Sequence, residues 1–202
     1  KEVDILLGTQ MISKGLDFPL VTLVGIVMAD ISLNLPDFRA AERTFQLLTQ
    51  VAGRSGRRDK AGEVIIQTYN PEHYAIESAS QQNYIRFATE ELGYRKKLYY
   101  PPYYRLARIL FQSTDLETLK KEMSNMREVL YFLRKQFPMP QLLLLGPSVA
   151  PFSKIDSYYR YHLIFKAQTV KILQNAIRLF NSLYNCPSNI RKQIDIDPNT
   201  LM

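Results

Sequence analysis

The chain has 202 residues, 46% of them hydrophobic, which suits one or two domains with ordinary globular cores. Its single cysteine, Cys186, excludes an internal disulfide framework and any four-cysteine zinc site. No apolar run approaches the ~20 residues of a membrane span, Leu142–Leu145 being only strand-sized, and Lys1, Glu2 and Asp4 do not open a signal peptide. A cytoplasmic, reducing setting without a membrane is expected.

The formal net charge is +7 and is unevenly placed. Residues 1–98 hold 12 Lys and Arg against 12 Asp and Glu; residues 99–202 hold 14 against 7. The whole excess lies in the second half, which makes that half either a footprint for polyanions or a solubilising surface.

In chain order, Asp4–Gly8 reads as a buried strand that delivers Thr9, Gln10 and Met11 to its carboxyl end, where ligand groups gather in open α/β sheets. A loop carrying Lys14, Gly15 and Asp17 follows. Val21–Ala29 is a second strand, and its unbroken apolar character predicts cover on both faces, as in a parallel sheet. Ile31–Pro36 is a predicted loop, and Asp37 is expected to cap a helix running to Val51. Phe45, Leu48, Thr49 and Ala52 recur at helical spacing before the chain breaks into Gly53-Arg54-Ser55-Gly56-Arg57. Two arginines three apart, each preceded by glycine, present two guanidinium forks of the kind that fit phosphate oxygens in pairs. The same residues also describe a glycine-ended helix with a solvated basic loop. Gly62–Tyr69 is a third strand, so strand–helix–strand order predicts an α/β lobe.

Asn70-Pro71 ends that lobe. Glu72 to about Leu98 reads as helical, and Tyr99–Tyr103, with Pro101 and Pro102, as a Pro-fixed extended boundary. The predicted domains are residues 1–70, a helical linker 71–100, and residues 101–202. The last reads βαββαβ: a strand at Arg105–Gln112, a helix capped by Asp115 and reaching about Phe137, strands at Leu142–Gly146 and Tyr159–Lys166, a helix at Thr169–Tyr184, and a strand at Ile190–Asp197. Two βαβ halves on one antiparallel sheet predict a ferredoxin-like α+β sandwich. Between the middle strands, Lys154, Tyr158 and Arg160 interleave cations with aromatics, which suits stacking and phosphate contact on single-stranded nucleic acid, or else a hairpin with aromatics in its core. Lys171, Gln174 and Arg178 share a polar helix face at i, i+3, i+7, open to a partner or to solvent. His73 and His162 have no partner at metal or triad spacing.

Gln50–Arg57, QVAGRSGR, resembles motif VI of superfamily 2 helicases, and Gly8–Pro19, GTQMISKGLDFP, resembles their motif V. With the block Asp37–Arg57 and the later YPPY, GPSVAPF and IDIDP, nearly the whole chain resembles the primosomal protein PriA family, helicases that restart stalled bacterial replication forks. That resemblance implies the second RecA-like lobe of an ATP-dependent 3′–5′ DNA helicase followed by a DNA-binding domain. It implies Arg57 as arginine finger with Arg54, Gln50 orienting them or the attacking water, and Gly53, Gly56, Gly15 and Asp17 around ATP and Mg2+. Thr9, Gln10 and Lys14 would meet the tracked DNA strand, with Lys14 equally readable as a solvated lysine. Lys171, Gln174 and Arg178 would meet the acidic tail of single-stranded-DNA-binding protein, among other primosome proteins. The family's hairpin is usually more basic than Asp156 and Tyr158 make this one. No phosphate loop, DExx motif or paired cysteines occur in the sequence, so ATP hydrolysis and the family's zinc would need segments beyond these 202 residues, and the chain is expected to be the C-terminal part of a longer enzyme. A different superfamily 2 motor, or a non-enzymatic nucleic-acid-binding module, are the other classes these residues allow.

Overall fold

The computed structural model describes residues 4–8, 21–53 and 62–202. The chain divides into two compact units, one of Lys1–Leu35 with Arg39–Leu92, the other of Pro36–Phe38 with Gly93–Met202.

In the first unit, strands β1 (Leu23–Ile26) and β2 (Glu63–Ile66) pair in parallel, Leu23 opposite Glu63 through Ile26 opposite Ile66. Helices α1 (Asp30–Leu33) and α2 (Ala40–Ala52) lie between the two strands in the chain, and α3 (Tyr74–Ser80) and α4 (Tyr84–Lys97) follow β2, α4 running past the unit's end. The core joins Ala29, Phe45, Leu48, Ala75, Ile76, Ala79 and Phe87, with Phe45 and Phe87 stacked at 4.1 Å. Asp30 ties α1 to the stretch after β2, accepting from the Thr68 hydroxyl at 2.8 Å and the Tyr69 amide at 2.9 Å; these bonds, the Tyr69 amide first, hold its carboxyl below the usual range.

Several expectations for this unit are overturned. Residues 4–8 form no strand and are exposed, because an apolar run becomes a strand only where a neighbour accepts its backbone bonds, and neither β1 nor β2 has a third partner among the described residues. The β1–β2 pair is not covered on both faces: Leu23 is 55% and Ile65 53% exposed, so the unbroken apolar run reflects one buried side only. The predicted loop after β1 begins with the turn of helix α1. The single long helix at 72–98 is two, interrupted at Gln81–Asn83, where Gln82 takes a positive φ of 51° and Asn83 Oδ1 accepts from the Arg86 amide to start α4. Asp37 does not cap α2, whose N-cap position is held by Arg39 with no side-chain bond to the helix amides. Its carboxylate instead accepts from the Thr200 hydroxyl and, at 3.2 Å, from the Leu201 amide.

The second unit holds β3 (Arg105–Ser113), α5 (Leu116–Asn125), α6 (Arg127–Gln136), β4 (Leu142–Ile155), β5 (Tyr158–Ala167), α7 (Val170–Leu183) and β6 (Arg191–Ile196). The strands make one antiparallel sheet in the order β4-β5-β3-β6. Asp115 and Thr169 cap α5 and α7 by accepting from the amides of Glu117 and Ile172. Period-2 alternation puts Ala107, Ile109, Phe111, Leu163, Phe165 and Ala167 on one sheet face against Leu119, Met123, Leu130, Leu133, Leu173 and Phe180 of the helices. The predicted helix from Asp115 is broken at Met126, although apolar spacing runs across the break. Ser124 and Asn125 precede it, and the Ser124 hydroxyl donates back to Lys120 O, a local bond that competes with the helix ladder.

The opposite sheet face is also largely buried but holds polar groups. Lys166, 3% exposed, donates from Nζ to Leu98 O at 2.9 Å and lies 3.3 Å from the centre of the Tyr100 ring. Tyr100 stacks on Phe38 at 5.0 Å and 5°, and the Arg95 guanidinium covers Phe38 at 5.5 Å, a four-layer pile of cation, ring, ring and cation. Burial lowers the Lys166 ammonium from 10.5 to about 8.

Two outcomes follow. Gly146 has a φ of +97°, and a Cβ there would lie 2.7 Å from His162 O and 2.9 Å from the Ser148 amide. Gly146→Ala should therefore lose roughly 1–3 kcal/mol, read as a lower urea midpoint at unchanged slope. The second outcome concerns Lys166, whose folded pKa lies below its unfolded one, so the unfolded chain binds more protons between about pH 8 and 10.5 and stability rises across that window. Tyr100, raised by burial, works in the opposite direction near the top of the range. Lys166→Met should abolish the rise in a denaturation series against pH.

Candidate functional site

Arg54, Arg57, Gly56, Gly15, Asp17, Thr9, Gln10 and Lys14 lie outside the described residues. Gln50 sits exposed in the last turn of α2, and Gly53 closes that helix, its amide bonded to Thr49 O at 3.1 Å. Positions 50 and 53 are helical neighbours, so α2 carries both to the end at which the Gly-Arg motif begins.

The Lys154–Tyr158 region forms the tip of the β4–β5 hairpin. Lys154 pairs with Tyr159 and Ile155 with Tyr158, and Asp156 turns the chain with a φ of +51°, a conformation Asp tolerates. Lys154 is exposed, with Nζ 4.7 Å from the Tyr159 ring centre; Tyr158 is half-buried, with the Arg191 guanidinium 4.3 Å from its ring centre. Phe152, 51% exposed, and Ile155, 45% exposed, leave apolar surface beside these cations. The tip thus offers rings and positive charge side by side, a surface suited to stacked bases and a phosphate backbone.

Arg160 is different. It is 6% exposed, and one of its terminal nitrogens donates to Phe152 O at 3.2 Å. On α7, Lys171, Gln174 and Arg178 are all exposed, while Leu173, Ala176, Ile177 and Phe180 turn inward. His73 caps α3, Nδ1 accepting from the Ala75 amide at 3.2 Å, and burial lowers its pKa. Among the described residues no group of three His, Cys, Asp or Glu could hold a metal, and no helix is long and apolar enough to cross a membrane.

Sequence reasoning passed over Arg108 and Lys166 and found no partner for His162. The available signal was the alternation Arg160-x-His162-x-Ile164-x-Lys166, which puts three basic groups on one face of β5.

The family model described as the primosomal protein N C-terminal domain matches residues 96–199. The chain belongs to the PriA C-terminal domain family. Its relatives include the replication restart protein PriA of Bacillus subtilis (strain 168), 41% identical over all of this chain and 25% of that protein. The protein of the same name from Borreliella burgdorferi is 39% identical over all of this chain and 30% of its own length. That of Synechocystis sp. is 41% identical over 98% of this chain and 23% of its own. The chain spans about a quarter of the length of these PriA relatives.

Proposed function

We propose that the chain is the C-terminal part of an ATP-dependent 3′–5′ DNA helicase that recognises stalled replication forks and restarts replication through primosome assembly. The observation that carries this reading is the match over the chain's whole length to proteins named replication restart protein PriA. The parallel β1–β2 pair with α2 between them in sequence supports reading residues 1–70 as the end of a RecA-like lobe, with 71–100 as a helical linker. The strand order β4-β5-β3-β6 supports reading residues 101–202 as a ferredoxin-like sandwich that binds DNA.

In this reading Gln50, Arg54 and Arg57 face the β/γ-phosphates of ATP bound with Mg2+ on a first lobe, while Gly53 and Gly56 let the backbone close in and Asp17 and Gly15 border the nucleotide. Thr9, Gln10 and Lys14 contact the backbone of the tracked strand, and such contacts position without reading bases. Lys154 supplies charge and Tyr158 a stacking surface at the hairpin tip. The exposed face of Lys171, Gln174 and Arg178 receives the acidic tail of single-stranded-DNA-binding protein. Zinc belongs to cysteines elsewhere in the full-length protein, which works in the cytoplasm at nucleoid-associated forks.

Two measurements test this. In the full-length protein, Arg57→Ala should cut DNA-stimulated ATP turnover ~10³-fold or more and leave DNA affinity nearly unchanged; normal turnover with lost DNA binding reverses the assignment. For the 202-residue chain, anisotropy with labelled single-stranded or forked DNA at several salt concentrations should give weak binding with a shallow log–log slope. Lys154→Ala should reduce affinity and slope together, whereas Tyr158→Ala should reduce affinity alone, because stacking releases no counterions. Absence of binding at low salt would leave the hairpin charge as a solubilising surface.

A further inference from the structure

Among the described residues, three buried nitrogen atoms on the polar face of the four-stranded sheet find no hydrogen-bond partner: Arg108 Nε, Arg160 Nε and His162 Nδ1. The register gathers their residues. Arg160 and His162 are two apart on β5 and share a face; Leu110 lies opposite His162, and Arg108, two residues before Leu110, is diagonal to it on the same face. Arg160 is 6% and His162 9% exposed, and the Arg108 side chain is 11% exposed.

Charge balance at this cluster is one-sided. Arg108 pairs with the Asp195 carboxylate at 3.6 Å and also donates to Met202 O. Arg160 donates to a carbonyl, Phe152 O, and among the described residues no carboxylate pairs with it. Burial lowers the pKa of both Arg160 and His162, and the charge of Arg108 lowers them further. A water molecule would accept the orphaned bonds but leave the charges of Arg108 and Arg160, which already disfavour each other, without an added counter-charge. An anion answers both. Donors on three separate side chains suit the several oxygens of a tetrahedral phosphate group better than the two coplanar oxygens of a carboxylate.

Beside Arg160 the neighbouring strand is irregular. Between the pairs Val149–Tyr161 and Lys154–Tyr159, four residues of β4, Ala150 to Ser153, stand opposite the single residue Arg160, so the ladder is interrupted there. We propose that Arg108, Arg160 and His162 form a phosphate-binding site on the polar face of the sheet, entered beneath the Ala150–Ser153 bulge. This site is separate from the hairpin tip and does not depend on the helicase reading.

The chain has two histidines, so its imidazole 1H–15N spectrum reports the site at His162 and carries an internal reference at His73. Inorganic phosphate added at constant ionic strength should shift the His162 signals saturably and leave those of His73 in place. Arg108→Gln should weaken this binding by about tenfold or more. If that variant fails to fold, Arg108→Lys, which keeps the charge and loses the fork, should weaken it too. A short single-stranded oligonucleotide that displaces phosphate from His162 identifies a phosphodiester as the natural ligand; failure to displace identifies free phosphate. A linear, unsaturated shift, the same shift with chloride, tighter binding of acetate than of phosphate, or full binding by a folded Arg108 variant overturns the proposal.

Discussion

A buried ammonium group governs the second unit. Lys166 lies on a sheet face that would be simple to close with apolar side chains, and its charge must instead be met at every approach. One carbonyl and one aromatic face meet it, and the aromatic face requires Tyr100 to lie flat, which in turn gives Phe38 a ring to stack on and Arg95 a ring to cover. A desolvated cation–π contact is worth ~2 kcal/mol or more, and here two of them share one pair of stacked rings. Removing either ring therefore removes more than its own area. Pro36–Phe38 belongs with the second unit through this pile and through the Asp37 bonds to Thr200 and Leu201.

The two sheet faces follow different physical rules. The helix-covered face is filled by Ile109, Phe111, Leu163 and Phe165, whose contacts are non-directional and tolerate exchange of similar volumes. The other face holds Arg108, Arg160, His162 and Lys166, whose burial has to be compensated group by group. Lys166 is compensated within the chain. Arg108 and Arg160 are compensated in part, and the shortfall lies beside the point where β4 bulges away from β5. The same bulge separates the helix-backed root of the hairpin from its exposed tip, so the tip can adapt to a ligand without disturbing the core.

How much of this was legible depended on whether a local rule or a distant partner decided each residue. The strands and helices of the second unit were readable because period and caps agree: Asp115 and Thr169 sit where the periodic apolar pattern begins, and both accept the expected amides. The split at Met126 was not, because the apolar spacing of Leu119, Met123, Met126, Leu130 and Leu133 is the same for one helix or two. Asp37 looked like a cap on sequence distance alone, and its partners lie more than 160 residues away. Of the motif residues, Gln50 and Gly53 could be placed at the end of α2, while the arginines were read through resemblance. The basic cluster on β5 was visible as alternation, but only the register with β3 shows that Arg108 joins it.

Net charge therefore overstates what the second half can offer to DNA. The 14 Lys and Arg of residues 99–202 are a sequence count, and the fold divides them. Arg160 and Lys166 are buried and Arg108 is nearly so, bound to Asp195 and Met202 O. Lys120 pairs with Glu117 at 2.8 Å. Lys154, Lys171, Arg178 and Arg191 are exposed on the hairpin tip, on α7 and at the start of β6, while Arg105, Lys121, Arg127, Arg134 and Lys135 are exposed on β3, α5 and α6. Counterion release scales with the phosphates neutralised together, so cations distributed over separate elements contribute to long-range attraction more than to any one contact. In the proposed DNA-binding reading, the rings at the tip, with their cations at 4.3 and 4.7 Å, would carry a larger share of close binding than the net charge would lead one to assign them.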